Sequence, residues 1–195
     1  MPGIYKGSEF DCAGFAAGFV EEGEIWGTHR FQLGSEVWAL PSSGFHSNGY
    51  SLLRKVFEKD LDQWMDELLI PTALYVQEIQ SLKKAGVKIQ ACAHITGSGF
   101  ENLLRVLPAY SALEITEYEW PHGFKEVQRR CDLSDMEMLK TLNCGIGFSI
   151  FIEPGQSPLL QQELKKVGCQ PQLLGHVRAA QDSQEPYFVW KGQKS

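Results

Sequence analysis

The sequence passes twice from an apolar strand through a loop of small residues into a helix, and this repeated order constrains the fold most. The two stretches are VWALPSSGFHSNGYSLLRKV and IQACAHITGSGFENLLRVLP. Glycine lets a backbone approach a ligand without a Cβ in between. The first N–H groups of a helix have no internal partner, and the helix dipole places partial positive charge there. The pattern therefore predicts two anion-binding loops in a chain that mixes strands and helices.

Polar side chains crowd both loops, and their hydroxyl and amide groups suit hydrogen bonds to a phosphate. The candidate ligand-binding residues are Ser42, Ser43, Gly44, Ser47 and Asn48 in the first loop and Thr96, Gly97, Ser98, Gly99 and Asn102 in the second. A tight turn with a capping Ser or Asn would explain one such loop alone. Two similar loops in one small domain favour a shared pocket, so we expect them to lie side by side at one edge of the sheet.

Two histidines, His46 and His94, stand in these loops just beyond a predicted strand. Near neutral pH a histidine can donate a hydrogen bond to phosphate or move a proton, so both are catalytic candidates. The alternative interpretation is a structural histidine whose hydrogen bonds are satisfied within the protein. Asn143 lies in a third turn of small residues, 140–147, which either approaches a ligand or only allows a sharp bend.

The rest of the pattern predicts an α+β fold with a mixed central sheet and packed helices. Predicted strands cover residues 36–40, 87–95, 112–116, 145–152, 171–178 and 185–190, and residues 11–26 are predicted to form a strand followed by a turn. Predicted helices cover residues 50–59, 61–69, 71–86, 100–107, 121–130 and 157–167, and a short one follows a capping box of Ser134 and Glu137. Residues 1–195 then form a single substrate-binding domain with a lead-in strand within 1–26 and a frayed tail at 191–195.

Composition narrows the classes of function. The net charge of −6 and the lack of a Lys/Arg cluster argue against nucleic-acid binding. No apolar run reaches the roughly 18 residues that a membrane span requires, and no signal peptide is recognisable. The five cysteines form no C-x-x-C pair, which favours reduced thiols, a cytoplasmic location and no metal site.

Motifs along the chain resemble the C-terminal domain of the phosphoribosylformylglycinamidine cyclo-ligase, or aminoimidazole ribonucleotide synthetase, family. They are MPGIYKGSEFDCAGF, PSSGFHSNGYSLLRKV, PTALYV, AHITGSGFENLLRVLP, DMEMLKTLNCGIGF and LLGHVRA. The resemblance implies an ATP-dependent ligase of purine biosynthesis. ATP phosphorylates the formamide oxygen of the substrate, an amidine nitrogen closes the imidazole ring, and phosphate leaves.

The same resemblance implies ATP and Mg²⁺ as cofactors, bound mainly by a preceding ATP-binding domain that should be ending where this chain begins. This sequence has no Walker-type phosphate loop and no acidic glycine-rich loop for Mg-ATP. We therefore expect the chain alone to be inactive, with the ATP-binding N-terminal domain either supplied in trans or missing. The expected ligand is a phosphorylated ribonucleotide, and homodimers are expected through an exposed apolar surface that includes Phe15, Phe19 and Phe45.

Two departures from the family pattern keep a second hypothesis open. Ala73 stands where the family typically has Arg, and TGSGFEN is one residue shorter than its family counterpart. The alternative is a non-catalytic phosphate- or nucleotide-binding module derived from this domain. A third hypothesis is another member of the wider superfamily with a different amide-like or phosphate substrate.

Overall fold

A computed structural model describes residues 14 to 195, and its centre is a seven-stranded sheet. The strands are β1 Glu36–Pro41, β2 Ile89–His94, β3 Ser111–Ile115, β4 Ile146–Ile152, β5 Gln172–Ala179, β6 Tyr187–Trp190 and β7 Gln193–Lys194. Their spatial order is β2-β4-β1-β5-β3-β6-β7. Every neighbouring pair is antiparallel except β3 and β6, which run parallel. The sheet is mixed, which confirms the predicted α+β class.

Helices cover both faces of this sheet. They are α1 Tyr50–Val56, α2 Leu61–Leu68, α3 Val76–Ala85, α4 Glu101–Leu104, α5 His122–Cys131, α6 Asp135–Thr141 and α7 Ser157–Lys166. One core packs under α1, α2, α4, α5 and α6, and the other packs under α3 and α7. Strand β4 serves both cores, because Phe151 joins the first and Ile150 and Ile152 the second. A strand buried on both faces reads as a continuous apolar run, as GIGFSIFI does.

Several helix ends are where local signals in the sequence predict them. Ser134 Oγ accepts a hydrogen bond from Glu137 N, and the Glu137 carboxylate accepts one from Ser134 N, which is the predicted capping box. Gly86 ends α3 in the left-handed conformation, and Gly168, with φ +77°, follows α7. No helix within residues 14–195 is long and apolar enough to span a membrane.

Two predicted helices are shorter in the structure. The helix expected from residue 71 begins only at Val76, because the preceding segment is tied to the first loop. There Pro71 O accepts a hydrogen bond from Ser43 Oγ at 2.7 Å. The helix expected over 100–107 is the single turn α4. After Leu104, Val106 N and Leu107 N donate to the carbonyl groups three residues earlier, Leu103 O and Leu104 O, which makes turns rather than an α-helical ladder.

The two ends of the described chain differ from expectation. Within residues 14–26 there is no strand, only a 3-10 turn at Glu22–Glu24; residues 11–13 of the predicted strand lie outside the described part. The predicted frayed tail is wrong, because β6 and β7 form a hairpin. Lys191 and Gly192 both have positive φ, 48° and 76°, the backbone twist that two-residue hairpin turns favour.

The apolar surface expected at three phenylalanines is only partly present. Phe15 and Phe19 are fully exposed. Phe45 is instead 1% exposed and packs against Phe124, with ring centroids 4.6 Å apart. The expectation for Phe45 is therefore wrong, since the first loop turns this ring into the core rather than toward solvent.

Candidate functional site

Sheet topology brings three loops to one end of the molecule. Strands β1 and β2 both pair antiparallel with β4, which lies between them. They therefore run in the same direction, and their loops leave the sheet at the end where β4 begins. We call residues 41–49 the first loop, 95–100 the second loop and 142–145 the third loop. The predicted side-by-side placement of the first two loops is confirmed, and an ideal Cβ on Gly97 would lie 4.0 Å from Asn48 Oδ1.

Asn143 joins the first and third loops. Its Oδ1 accepts hydrogen bonds from Ser42 Oγ at 3.2 Å and Gly145 N at 2.8 Å. Its Nδ2 donates to Gly44 O at 3.0 Å. The side chain is 1% exposed, so its amide group serves the protein's own loops. Of the two interpretations left open by the sequence, the structure favours a residue that shapes the site over one that touches a ligand.

Asn102 supports the second loop as Asn143 supports the first and third, through hydrogen bonds from its side chain to the loop backbone. Its Nδ2 lies within hydrogen-bonding distance of Gly97 O at 3.0 Å and Gly99 O at 2.7 Å. Its Oδ1 is 3.5 Å from Thr96 Oγ1. Asn102 is buried, and it therefore holds the second loop from beneath.

His46 is buried, with 2% of its surface exposed. Its Nε2 accepts hydrogen bonds from Ser43 N at 3.1 Å and Ala73 N at 3.4 Å. The ring must therefore carry its proton on Nδ1, an atom without a partner among the described residues. Burial, and then the neighbouring charge of His94, lower the pKa of His46 to about 4. The ring is neutral at physiological pH and ties the first loop to residues 71–75.

His94 is exposed at the end of β2. Its ring centroid lies 6.1 Å from that of His46. Partial burial lowers the pKa of His94 below its usual value. A neutral, reachable imidazole can donate one hydrogen bond and accept another. Of the two predicted catalytic histidines, His94 is exposed to solvent and His46 is buried.

The other predicted site residues divide by exposure. Ser47, Gly97 and Ser98 are exposed; Ser42, Ser43, Gly44, Asn48 and Thr96 are half-buried; Gly99 is buried. Some hydroxyls already have protein partners, since Ser43 donates to Pro71 O and Ser47 Oγ lies 3.1 Å from Thr72 Oγ1. The accessible donors are concentrated in the second loop and at the tip of the first.

Backbone strain marks each of the three loops. His46, Ser98 and Cys144 have positive φ values of 57°, 76° and 49° without being glycines. Such conformations are costly and persist where the surrounding structure imposes them, often at binding and catalytic sites. Cys144 is fully buried, and burial raises the pKa of its thiol far above the usual value, so it does not act as a nucleophile.

Helix dipoles contribute less to this site than the sequence pattern suggests. The helix after the first loop has seven residues and the one after the second has four. A one-turn helix has few aligned peptide groups, so its dipole is small. Phosphate binding therefore stays a prediction that rests on the loop side chains and backbone.

Two aromatic residues beside His94, Tyr75 and Phe148, are not identifiable as site residues from the sequence pattern. The Tyr75 hydroxyl donates to Pro41 O at 2.9 Å, and the Tyr75 and Phe148 ring centroids are 5.2 Å apart. Gly147 makes room for this arrangement: an added Cβ would overlap the Tyr75 hydroxyl and lie 2.5 Å from His46 Cε1. The second glycine of GIG was the available signal, since a glycine inside a strand often marks a close approach.

The loops fit a phosphate group better than Mg²⁺. Their donors are hydroxyls, amides, imidazoles and backbone groups, and neither 41–49 nor 94–100 contains a carboxylate. Mg²⁺ in nucleotide sites is usually held by carboxylates together with phosphates. In residues 14–195, no three His, Cys, Asp or Glu side chains are grouped closely enough to hold a metal ion.

Known proteins share this fold. E. coli HypE, a hydrogenase maturation protein, superimposes with a TM-score of 0.57 at 18% identity, over 88% of this chain and 51% of HypE. The thiamine monophosphate kinase of Aquifex aeolicus gives 0.53 at 17% identity, over 87% of this chain and 54% of the kinase. T. maritima PurL complexed with ATP gives 0.51 at 7% identity, over 90% and 26%. At these identities the likeness establishes the fold alone.

Sequence comparison is more specific. The phosphoribosylformylglycinamidine cyclo-ligase of Thermoanaerobacter sp. (strain X514) is 38% identical across 91% of this chain. The match covers 56% of that enzyme, so the chain spans about half the length of this curated relative. Residues 32–186, well over half of the chain and including all three loops, match the family model "AIR synthase related protein, C-terminal domain". The chain therefore belongs to the family of AIR synthase related proteins and carries its C-terminal domain.

Proposed function

We propose that this chain is the substrate-binding half of an ATP-dependent cyclo-ligase that converts formylglycinamidine ribonucleotide to aminoimidazole ribonucleotide. It acts in the cytoplasm as a single domain that works with an ATP-binding domain, in the same polypeptide or in another. The name and 38% identity of the cyclo-ligase relative support this assignment. The observation that carries it is that the three loops lie at the same end of the sheet as the exposed His94.

In this proposal the accessible loop residues contact the ligand, and buried residues hold them in position. Ser47, Asn48, Thr96, Gly97 and Ser98 offer hydroxyl, amide and backbone groups to the ribose phosphate. Buried residues hold these groups in place, because Asn143 bridges the first and third loops and Asn102 supports the second. A preformed site of this kind loses less entropy when the ligand binds.

His94 is placed to act on the reacting amide. An amide oxygen is a poor leaving group, and its phosphorylation by ATP makes it a good one. When an amidine N–H group attacks the activated carbon, a C–N bond forms, phosphate leaves with the former amide oxygen, and the nitrogen loses a proton. A neutral imidazole can accept that proton, because its pKa lies below neutrality. His46 acts through position, by holding the first loop against residues 71–75.

ATP and Mg²⁺ belong to the partner domain in this proposal. The described loops lack the carboxylates that would hold Mg²⁺, and a γ-phosphate must lie in line with the amide oxygen. The isolated chain therefore binds the phosphorylated substrate without activating it.

One observation favours the second candidate, a non-catalytic phosphate-binding module. Ala73 N donates to His46, so residue 73 lies at the edge of the first loop, where the family typically has Arg. Alanine cannot make the bidentate contact that Arg makes with an anion. A module without this contact could still bind a phosphate while having lost catalysis.

Two measurements separate these candidates. Thermal shift with formylglycinamidine ribonucleotide, aminoimidazole ribonucleotide, ATP and inorganic phosphate tests binding. An activity assay with substrate, ATP and Mg²⁺, with and without a family ATP-binding domain, tests catalysis. We expect both ribonucleotides to raise Tm, and turnover to require the added domain. Binding without turnover in the mixture would support the non-catalytic module, and turnover by the isolated chain would contradict the half-enzyme proposal.

A further inference from the structure

A cavity of about 380 Å³ opens beside His94 and has no part in the phosphate-binding function described above. It lies between the start of α3 and the sheet, and its walls include Tyr75, Ile79 and Phe148. Aliphatic and aromatic groups make up most of its surface, in contrast to the polar loops next to it. Pockets that bind small organic ligands have this size and this apolar character.

Three rings form a corner of the cavity. Tyr75 and Phe148 have centroids 5.2 Å apart and planes inclined at 31°. The His94 ring lies 6.1 Å from each of them and is inclined at 75° to Tyr75. Aromatic rings attract one another in offset and edge-to-face arrangements at such distances. A further flat ring could therefore contact one wall with its face and another with its edge.

Two walls of the cavity, the Tyr75 and Phe148 rings, are held in place by contacts within the protein. The Tyr75 hydroxyl is held by Pro41 O, and Phe148 belongs to β4, where it pairs with Leu40 on one side and His94 on the other. The space beside Gly147 is filled by Tyr75 and His46. A cavity with fixed walls binds a rigid ligand at a lower entropic cost.

The cavity continues into the loops. His94 lines the cavity and immediately precedes the second loop. Ala73 also lines it, and Ala73 N donates to His46 of the first loop. One ligand can therefore place a phosphate on the loops and a ring in the cavity.

We propose that this cavity is a subsite for a planar nitrogen heterocycle, so the chain prefers a ring-closed phosphoribosyl ligand to an open-chain one. The inference rests on the proposed function, which places the phosphate on the loops. An open-chain amidine would bring flexible N–H groups against apolar walls and lose hydrogen bonds to water. A flat ring instead contacts the walls with its apolar faces and keeps its polar edge toward His94 and the loops.

Isothermal titration of the purified chain tests this preference. The ligands are aminoimidazole ribonucleotide, formylglycinamidine ribonucleotide and ribose 5-phosphate. We expect the ring-closed ribonucleotide to bind about tenfold more tightly than the other two. Phe148→Leu removes a ring while keeping an apolar side chain, and Ala73→Leu narrows the cavity from a different segment. Each variant should weaken only the ring-closed ligand, whereas Phe19→Leu, at a fully exposed ring, should change nothing.

The outcomes of this titration distinguish a failure of the subsite proposal from a failure of the proposed function. Equal binding of the three ligands to the wild-type chain would overturn the subsite and leave phosphate binding intact. Failure of all three to bind would contradict the proposed function itself. Circular dichroism identifies a variant that has not folded, and Ala73→Leu keeps the test decisive if Phe148→Leu fails. A folded Ala73→Leu variant that keeps the tenfold preference would also overturn the subsite.

Discussion

The first and second loops follow the same sequence pattern but have opposite environments. In the first loop, His46 is buried and accepts two backbone hydrogen bonds. In the second, His94 ends its strand in the open, and exposed Gly97 and Ser98 follow. The difference shows that a strand, a small-residue loop and a helix do not by themselves make a binding site. What packs over each loop decides whether its histidine is buried as a support or stays exposed to solvent.

The largest expected effect comes from adding one methyl group under the first loop. Gly147→Ala would drive a Cβ into the Tyr75 hydroxyl and against His46. Because both side chains are packed against the sheet, we expect a loss of about 3 kcal/mol in the free energy of unfolding. Urea denaturation measures it. Gly23→Ala is the matched control, since its Cβ would meet open space, and an equal loss in both variants would contradict this account of the first loop.

The pH dependence of stability sharpens the contrast between the two histidines. The pKa of His46 is lowered from 6.5 to about 4, so between these values the unfolded chain binds a proton that the folded chain excludes. The free energy of unfolding therefore falls as pH falls from 6.5 to 4, by up to about 3 kcal/mol from this group. His94 acts in the same direction, because its pKa is also lowered.

Denaturation curves at several pH values for the wild type, His46→Gln and His94→Gln separate these contributions. The His46→Gln profile should be flatter between pH 6.5 and 4, and the His94→Gln profile should change less. Parallel wild-type and His46→Gln profiles would mean that His46 binds a proton as readily in the folded protein as in the unfolded chain, which would contradict its lowered pKa.

The same substitution, Asn to Ala, can be made at the two buried asparagines that support different loops, Asn143 and Asn102. Asn143→Ala removes the bridge between the first and third loops and leaves Gly44 O and Gly145 N without this partner. Asn102→Ala does the same to the carbonyl groups of the second loop. We expect each to cost about 2 kcal/mol, because buried polar groups lose their partners.

Hydrogen exchange then distinguishes the loops. Faster exchange should appear at Gly145 N in Asn143→Ala and at Gly99 N in Asn102→Ala. Asn48→Ala, at a half-buried amide, serves as the control and should change stability by less than about 0.5 kcal/mol. If each asparagine variant raised the exchange rates of all three loops equally, the loops would open as one unit. The expected result is two units, one formed by the first and third loops and the other by the second loop.

His94→Ala should have the smallest effect on stability of these variants but a clear effect on ligand affinity. His94→Ala removes an exposed ring, so we expect the free energy of unfolding to change by less than about 0.5 kcal/mol. Affinity for a phosphorylated ribonucleotide should fall by about tenfold, since a contact to the ligand is lost. Titration calorimetry measures it, with His122→Ala as the control. Equal losses of affinity in the two variants would remove the special role of His94.

Much of the secondary structure could be predicted because its causes lie close together in the chain. The apolar runs of β1, β2 and β4, the Ser134 capping box and the glycines after α3 and α7 depend on near neighbours. The start of α3 and the β6–β7 hairpin could not be predicted as well. The start of α3 depends on a hydrogen bond from Ser43 to Pro71, which are 28 residues apart in sequence. The hairpin turn, Lys191–Gly192, lies among polar residues at the end of the sequence, a composition that is also typical of a frayed tail.

The sequence by itself determined the residue types at the site, since the two loops and the third turn carry Ser, Asn, His and Gly at fixed places near strands. Only the tertiary structure decided their roles. His46 and Asn143 became supports because distant segments, residues 71–75 and the first loop, use their polar atoms. His94 became the accessible group, and Tyr75 and Phe148 its neighbours, because the helix α3 and strand β4 meet beside the end of β2. Burial is a property of the packed chain, and no local pattern records which side of a loop another segment will cover.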